Sequence, residues 1–184
     1  LLTGFTLIEL IVVIAVIALL LAIVISNFPQ LKLQYALSRI SYKFAQDLRG
    51  AQNMALTSLQ FRDSGGMLQN ISGYGVYVDI GILGNKKYII YADEASQQPG
   101  NQRYDSLDYI VETIDFGLTE QGIVIKEINN VVGNKVSVNF NSSNINTTIT
   151  QSTQNNVDFV FALESDLTNT KIVSVNTSGL IEAR

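Results

Sequence analysis

The sequence predicts an α+β protein. A long N-terminal α-helix, its apolar half protruding and its amphipathic half packed on the head, precedes a C-terminal head of one antiparallel β-sheet or two. Three observations predict this. Leu10 to Ile25 contain no polar side chain. From Leu33 the apolar residues recur every three or four positions. From about Phe61 the period falls to two, in short runs of Val, Ile, Tyr and Phe separated by Gly, Asn, Asp and Ser.

Phe5 to Ile25 would span roughly 30 Å as a helix at ~1.5 Å per residue, enough to cross a hydrocarbon core. Glu9 is the single charge in this segment. A secretory signal peptide has a shorter apolar core that ends at a small-residue cleavage site, whereas here the small residue, Gly4, comes first. Pro29 removes a helical hydrogen bond and crowds the preceding turn, which predicts a kink or local unwinding over Ser26–Pro29. Leu33, Leu37, Ile40, Phe44, Leu48 and Ala51 then form one stripe, with Lys32, Arg39, Lys43, Asp47 and Arg49 mostly off it. Such a helix buries one face, and the chain's own β head is its best partner.

The expected strands are 73–80, 86–92, 108–114, 122–128, 135–140, 157–163 and 170–176, with a short last one at 180–183. Hairpin turns are expected at "GNK", 84–86 and again 133–135, and at "NTSG", 176–179. Two stretches read as long loops: 93–106, with Pro99-Gly100 and scattered charges, and 141–156, almost entirely Asn, Ser, Thr and Gln.

Composition excludes several function classes. Of 184 residues, 47% are hydrophobic and 15% charged, yet the apolar excess is concentrated at the amino end. That describes one apolar helix and one water-exposed head. The net charge of −4 argues against a general nucleic-acid binder, which needs a basic stripe to displace counterions. Without cysteine there is no disulfide framework and no thiolate metal site. Without histidine the commonest general base and zinc ligand are gone. No catalytic residues and no cofactor are expected.

Three further patterns have two readings each. "GYGVY", 73–77, looks like a glycine loop but opens a strand with no helix after it, so a turn and close packing account for its glycines. Asp93, Glu94, Asp105 and Asp108 could together bind calcium, but their spacing matches no EF-hand, and the alternative is a solvated acidic loop. Glycosylation sequons at Asn70, Asn141, Asn146 and Asn176 are expected by chance in a chain so rich in Asn, Ser and Thr.

"TGFTLIELIVVIAVIALLLAI" resembles the amino-terminal signature of type IV pilins and their relatives, the type II secretion pseudopilins and DNA-uptake minor pilins. The resemblance implies a pilin fold and cleavage by a prepilin peptidase after Gly4, with methylation of the new amine at Phe5. Such leaders are short and basic; "LLT" has neither Lys nor Arg, so a missing start is expected. The implied division is 1–4 as leader remnant, 5–28 as transmembrane and filament-core helix, 29–60 as amphipathic helix and 61–184 as head.

Burying a carboxylate near a bilayer centre costs about 2.5–3.5 kcal/mol, less near a helix end, so Glu9 calls for a partner. The resemblance supplies one: the Phe5 amine of a neighbouring subunit in a helical homo-oligomer. The other reading is that Glu9 snorkels to the interface of a lone helix. By resemblance, Pro29 is where the helix loosens on assembly; the other reading is a plain kink at the membrane exit.

Downstream, "ISYKFAQDLRGAQNMALTSLQ" (40–60) and "KIVSVNTSGLIEAR" (171–184) are similar to H-type pseudopilins and FimT-type minor pilins. DNA-receptor members carry arginines just after the terminal glycine, where this chain has Leu180, Ile181 and Glu182, with only Arg184 basic. No nucleic-acid partner is expected. The resemblance implies a structural subunit of a type IV pilus: a single-pass precursor in the inner or cytoplasmic membrane, handled by the peptidase and the pilus assembly machinery, then a cell-surface filament. The alternatives are an H-type pseudopilin, a DNA-uptake minor pilin, and, outside this machinery, a single-span enzyme or receptor with a β ectodomain.

Overall fold

A computed structural model describes residues 4–63, 65–95, 101–142 and 146–184, with the backbone alone at 26 and 27. Leu1 to Thr3 of the expected leader and the Pro99-Gly100 pair lie outside the described residues. The chain divides into two compact units, Leu1–Tyr35 and Ala36–Arg184.

Helix α1 runs over Leu7–Leu56 and includes Pro29. Its helical course continues on both sides of the proline, so the unwinding expected at 26–29 is absent. One proline in a long helix removes one hydrogen bond and leaves the neighbouring turns to hold the course. At its end the helix closes in a Schellman arrangement. Ser58 takes a left-handed φ of 47°, its N–H bonds Ala55 O at 3.0 Å, and the Leu59 N–H reaches Met54 O at 3.0 Å.

The strands follow as β1 (Phe61–Arg62), β2 (Leu68–Gln69), β3 (Ile71–Asp79), β4 (Lys87–Glu94) and β5 (Tyr109–Asp115). After the single turn α2 (Phe116–Thr119) come β6 (Ile123–Asn129), β7 (Lys135–Asn141), β8 (Thr147–Ile149), β9 (Asn156–Leu163), β10 (Asp166–Asn176) and β11 (Ile181–Ala183). Among the described residues they form antiparallel sheets of order β5-β4-β3-β7-β8 and β11-β10-β9-β6, with the small pair β1-β2.

All eight expected strands are present, within a few residues of the expected bounds. Two expectations on their connections fail. The turn at 133–135 has its left-handed glycine, Gly133 at φ +88°, but it joins no hairpin: β6 pairs with β9, while β7 pairs with β3. The turn carries the chain from one sheet to the other. The polar stretch 141–156 is not all loop either. Thr147 and Ile149 are buried in β8, which pairs with β7 through Val138↔Ile149. Val131 and Ser152 also bridge.

The core of the second unit lies between Ala36–Leu56 and the sheets. Leu37, Ile40, Phe44, Leu48 and Ala51 are all buried, joined by Ala45 and Ala55. The Phe44 ring is fully buried and meets Tyr88 of β4 at 4.9 Å and Phe159 of β9 at 4.8 Å. One helical side chain therefore touches both large sheets. The Tyr88 hydroxyl donates to Asp47 Oδ2, which also takes the Lys43 ammonium at 2.8 Å. "GYGVY" lies within β3, and its Gly75 is required by close packing: a Cβ there would stand 2.5 Å from the Tyr91 ring.

Candidate processing and assembly site at the amino terminus

Gly4, Phe5 and Thr6 precede the first helical residue and are exposed. A Cβ at Gly4 would meet nothing within 4 Å, and Phe5 is 87% exposed. The Gly4–Phe5 peptide bond is therefore in non-helical, open backbone, as a protease requires of its substrate.

Helix α1 starts where it does because Thr6 and Glu9 cap it reciprocally. The Glu9 N–H donates to Thr6 Oγ1 at 3.3 Å, and the Thr6 N–H donates to Glu9 Oε2 at 3.1 Å. The Thr6 hydroxyl adds a bond to the same oxygen at 3.0 Å. This is a capping box, and its sequence sign is Thr-x-x-Glu at the head of an apolar run. Sequence reasoning overlooked that sign and treated Glu9 as needing a partner from outside. Within the subunit the carboxylate already has two donors, and it sits in the first turn, where the positive end of the helix dipole favours an anion. Both bonds fall on Oε2, and Oε1 takes part in neither.

Behind Glu9 the side chains from Leu10 to Ile25 are exposed. Helix α1 is long and apolar enough to cross a membrane, with a mean hydropathy of 3.4 over its most apolar window. Exposed apolar surface on this scale is stable only against lipid or protein.

Residues 40–60 and the closing hairpin are joined in the structure. The Arg49 guanidinium donates to Ile181 O at 2.9 Å, and the Gln52 amide donates to Gly179 O at 2.9 Å. The helix clamps the β10–β11 turn, where Gly179 holds a φ of +82° and a Cβ would stand 2.7 Å from Gln52 Nε2. Arg184, the one base after that glycine, donates to Ser174 Oγ at 2.9 Å.

Neither reading of the acidic residues holds. Among the described residues no group of three or more His, Cys, Asp or Glu could hold a metal ion. Nor are the acids simply solvated, because they tie segment 101–108 down. Asp93 is buried in β4, and its Oδ2 accepts from the Ser72 hydroxyl at 2.6 Å and the Gln102 N–H at 3.1 Å. Asp108 accepts from the Glu94 N–H at 3.0 Å and the Asp105 N–H at 2.7 Å. Burial, more than the nearby Asp93 and Asp105 charges, pushes the Asp108 carboxyl up to about 6. Of the sequons, Asn141 is buried, and the side chain of Asn176 accepts from Ser178 and Leu180 within its turn.

Residues 3–25 match the family described as the prokaryotic N-terminal methylation motif. No curated protein sequence matches the chain. Among solved structures it is similar to the type IV minor pilin FimU of Pseudomonas aeruginosa, strain PAO1. The two are 11% identical with a TM-score of 0.49, over 80% of this chain and 87% of that one. The methylation motif thus stands at the head of a helix long and apolar enough to cross a membrane, followed in the same chain by antiparallel β-sheets. The match to the family model covers the amino-terminal segment alone.

Proposed function

We propose that the chain is a structural subunit of a type IV pilus filament. The precursor sits in the inner or cytoplasmic membrane through Leu10–Ile25, is cut after Gly4, and is methylated at the Phe5 amine. On assembly the apolar run passes from lipid into contact with the same run of neighbouring copies, so its surface never meets water. Glu9 receives the Phe5 amine of a neighbour and sets the axial register of a helical homo-oligomer. Pro29 is the point at which the helix yields during that change.

The observation that carries this reading is the placement of Glu9. A carboxylate stands in the first turn of an exposed membrane-length helix, a few residues after an open Gly4–Phe5 bond. Two donors from Thr6 occupy one of its oxygens and leave the other for an ammonium group. Such a cap lowers the cost of holding the charge in the membrane until the neighbour arrives.

A second reading is an H-type pseudopilin in a short secretion fibre, which rests on the resemblance of residues 40–60 and 171–184. One experiment separates the two: filaments sheared from the cell surface are purified and their chains identified by mass spectrometry. The pilus reading predicts this chain there, with an amino-terminal peptide that begins at a methylated Phe5. A terminal peptide retaining Gly4 contradicts the processing. Retention of the chain in the membrane fraction, with loss of secreted proteins on its deletion, establishes the pseudopilin instead.

A further inference from the structure

The connections β3–β4, β5–β6, β6–β7 and β9–β10 meet at one end of the head, knitted together by hydrogen bonds and ion pairs. The turn after β3 bonds the turn before β7 through the Ile80 N–H and Asn134 O at 3.0 Å, and bonds α2 through the Phe116 N–H and Lys86 O at 3.1 Å. Lys86 also pairs with Glu164 after β9 at 2.9 Å. Arg39 of α1 pairs with Glu120, just after α2, whereas Gln52 bonds the Gly179 turn beyond the far end of β10. Within the head, α1 therefore enters beside these connections and runs away from them.

This end carries apolar side chains in the open. Ile82 is 87% exposed, Leu118 81% and Val132 66%, each on a different connection. Ile82 and Leu118 are the most exposed large apolar side chains among the described residues of the second unit. The backbone behind them is held internally. Asp79 Oδ1 accepts the Ile82 N–H at 2.8 Å, the Val132 N–H donates to Gln151 O at 2.8 Å, and Leu118 stands in the helical turn α2 capped by Asp115. A tip whose N–H is already bonded can leave water without orphaning that donor. The charges around the tips nearly balance. Lys86 pairs with Glu164, Lys87 with Asp115 and Arg39 with Glu120, Lys135 faces the carboxylate of Asp79, and the exposed Asp166 bonds Thr168 within its own turn.

We propose that these three tips rest in the headgroup–acyl boundary of the bilayer that holds the precursor. The placement rests on the membrane-held precursor proposed above: residues 26–35 alone separate the apolar run, ending at Ile25, from the head, which begins at Ala36 where α1 enters. A surface reached through so short a tether needs little intrinsic affinity from each tip. A lipid interface accepts separate apolar tips with lysines between them, whose stems lie along apolar surface while the ammonium groups stay in water. A second copy of the chain would need a well-packed apolar patch matched to its own, and here each tip stands alone on its loop among ion pairs. Because the charges nearly balance, a zwitterionic lipid surface suffices.

The test uses the full-length chain at one copy per phosphatidylcholine nanodisc. The chain has no cysteine, so Ile82→Cys, Leu118→Cys and Val132→Cys each take a single nitroxide label. Met67→Cys is the control, 69% exposed and placed before the opposite end of β3, and Leu20→Cys reports the membrane span. The ratio of oxygen to aqueous nickel-chelate accessibility is expected to be at least about threefold higher at the three tips than at Met67, and highest at Leu20. Thermal midpoints should match the parent, since the substituted side chains are exposed. Tips that match Met67 while Leu20 reports lipid overturn the placement and leave the membrane span standing. A Leu20 label in water overturns both. Tips that leave water only when a disc holds several copies overturn it in favour of a contact between copies, and tips that enter only when phosphatidylglycerol is added overturn the zwitterionic surface.

Discussion

A carboxylate in the first turn of an apolar helix can be satisfied from within its own chain or from a neighbour; the structure shows the first for Glu9, and the second is the proposal made above. Thr6 donates to one oxygen from its N–H and its hydroxyl. The pattern Thr-x-x-Glu is legible in the sequence, but not that both Thr6 donors fall on one oxygen of Glu9. The acids around 101–108 were misread for a related reason: sequence shows the charge of Asp93 and Asp108 but not the N–H groups that converge on them. Asp108 gives a pH prediction. Its carboxyl is raised to about 6 in the folded head, against an ordinary value of 3.8. The folded state therefore holds the proton more tightly than the unfolded one, and this group's contribution to stability falls as pH rises from about 4 to about 6. A carbonyl-carbon NMR titration should place the Asp108 midpoint close to 6; a midpoint near 4 contradicts the burial described here.

At the scale of elements, the helical stripe and the strands were legible because burial imposes periods of 3.6 and 2 on the apolar residues. Phe44 was on the expected stripe, and its packing against Tyr88, Phe159 and Phe161 makes it the point where α1 joins both sheets. Replacing Phe44 with Ala should cost about 3–5 kcal/mol of head stability, read from urea unfolding of the full-length chain. A cost below about 1 kcal/mol would mean that the helix does not pack there. Strand β8 was illegible because Asn, Ser, Thr and Gln dominate the stretch around it, and three β-branched residues, Thr147, Thr148 and Ile149, are too few to show a period. Pairing was illegible too. "GNK" at 133–135 has the composition of the turn at 84–86, yet one joins paired strands and the other changes sheets. Turn chemistry fixes local backbone geometry, while the partner of each strand is chosen by the whole core.

For the whole molecule, the amino-terminal segment carried most of what sequence could tell, because its motif and its unbroken apolar run are both contiguous in the chain. The head told less: the end that bears Ile82, Leu118 and Val132 is built from connections that only the fold brings together. The central claim is that the charge of Glu9, not its cap, drives assembly, and one pair of variants separates the two. Glu9→Gln keeps a side chain able to complete the capping box and removes the charge. Thr6→Ala removes the hydroxyl cap, worth about 1 kcal/mol, and keeps the charge. The decisive measurement is the amount of filament sheared from cells expressing each variant at equal membrane level. The account predicts that Thr6→Ala assembles near the parental amount while Glu9→Gln falls at least tenfold. Parental filament yield from Glu9→Gln would contradict it and leave Glu9 as a helix cap.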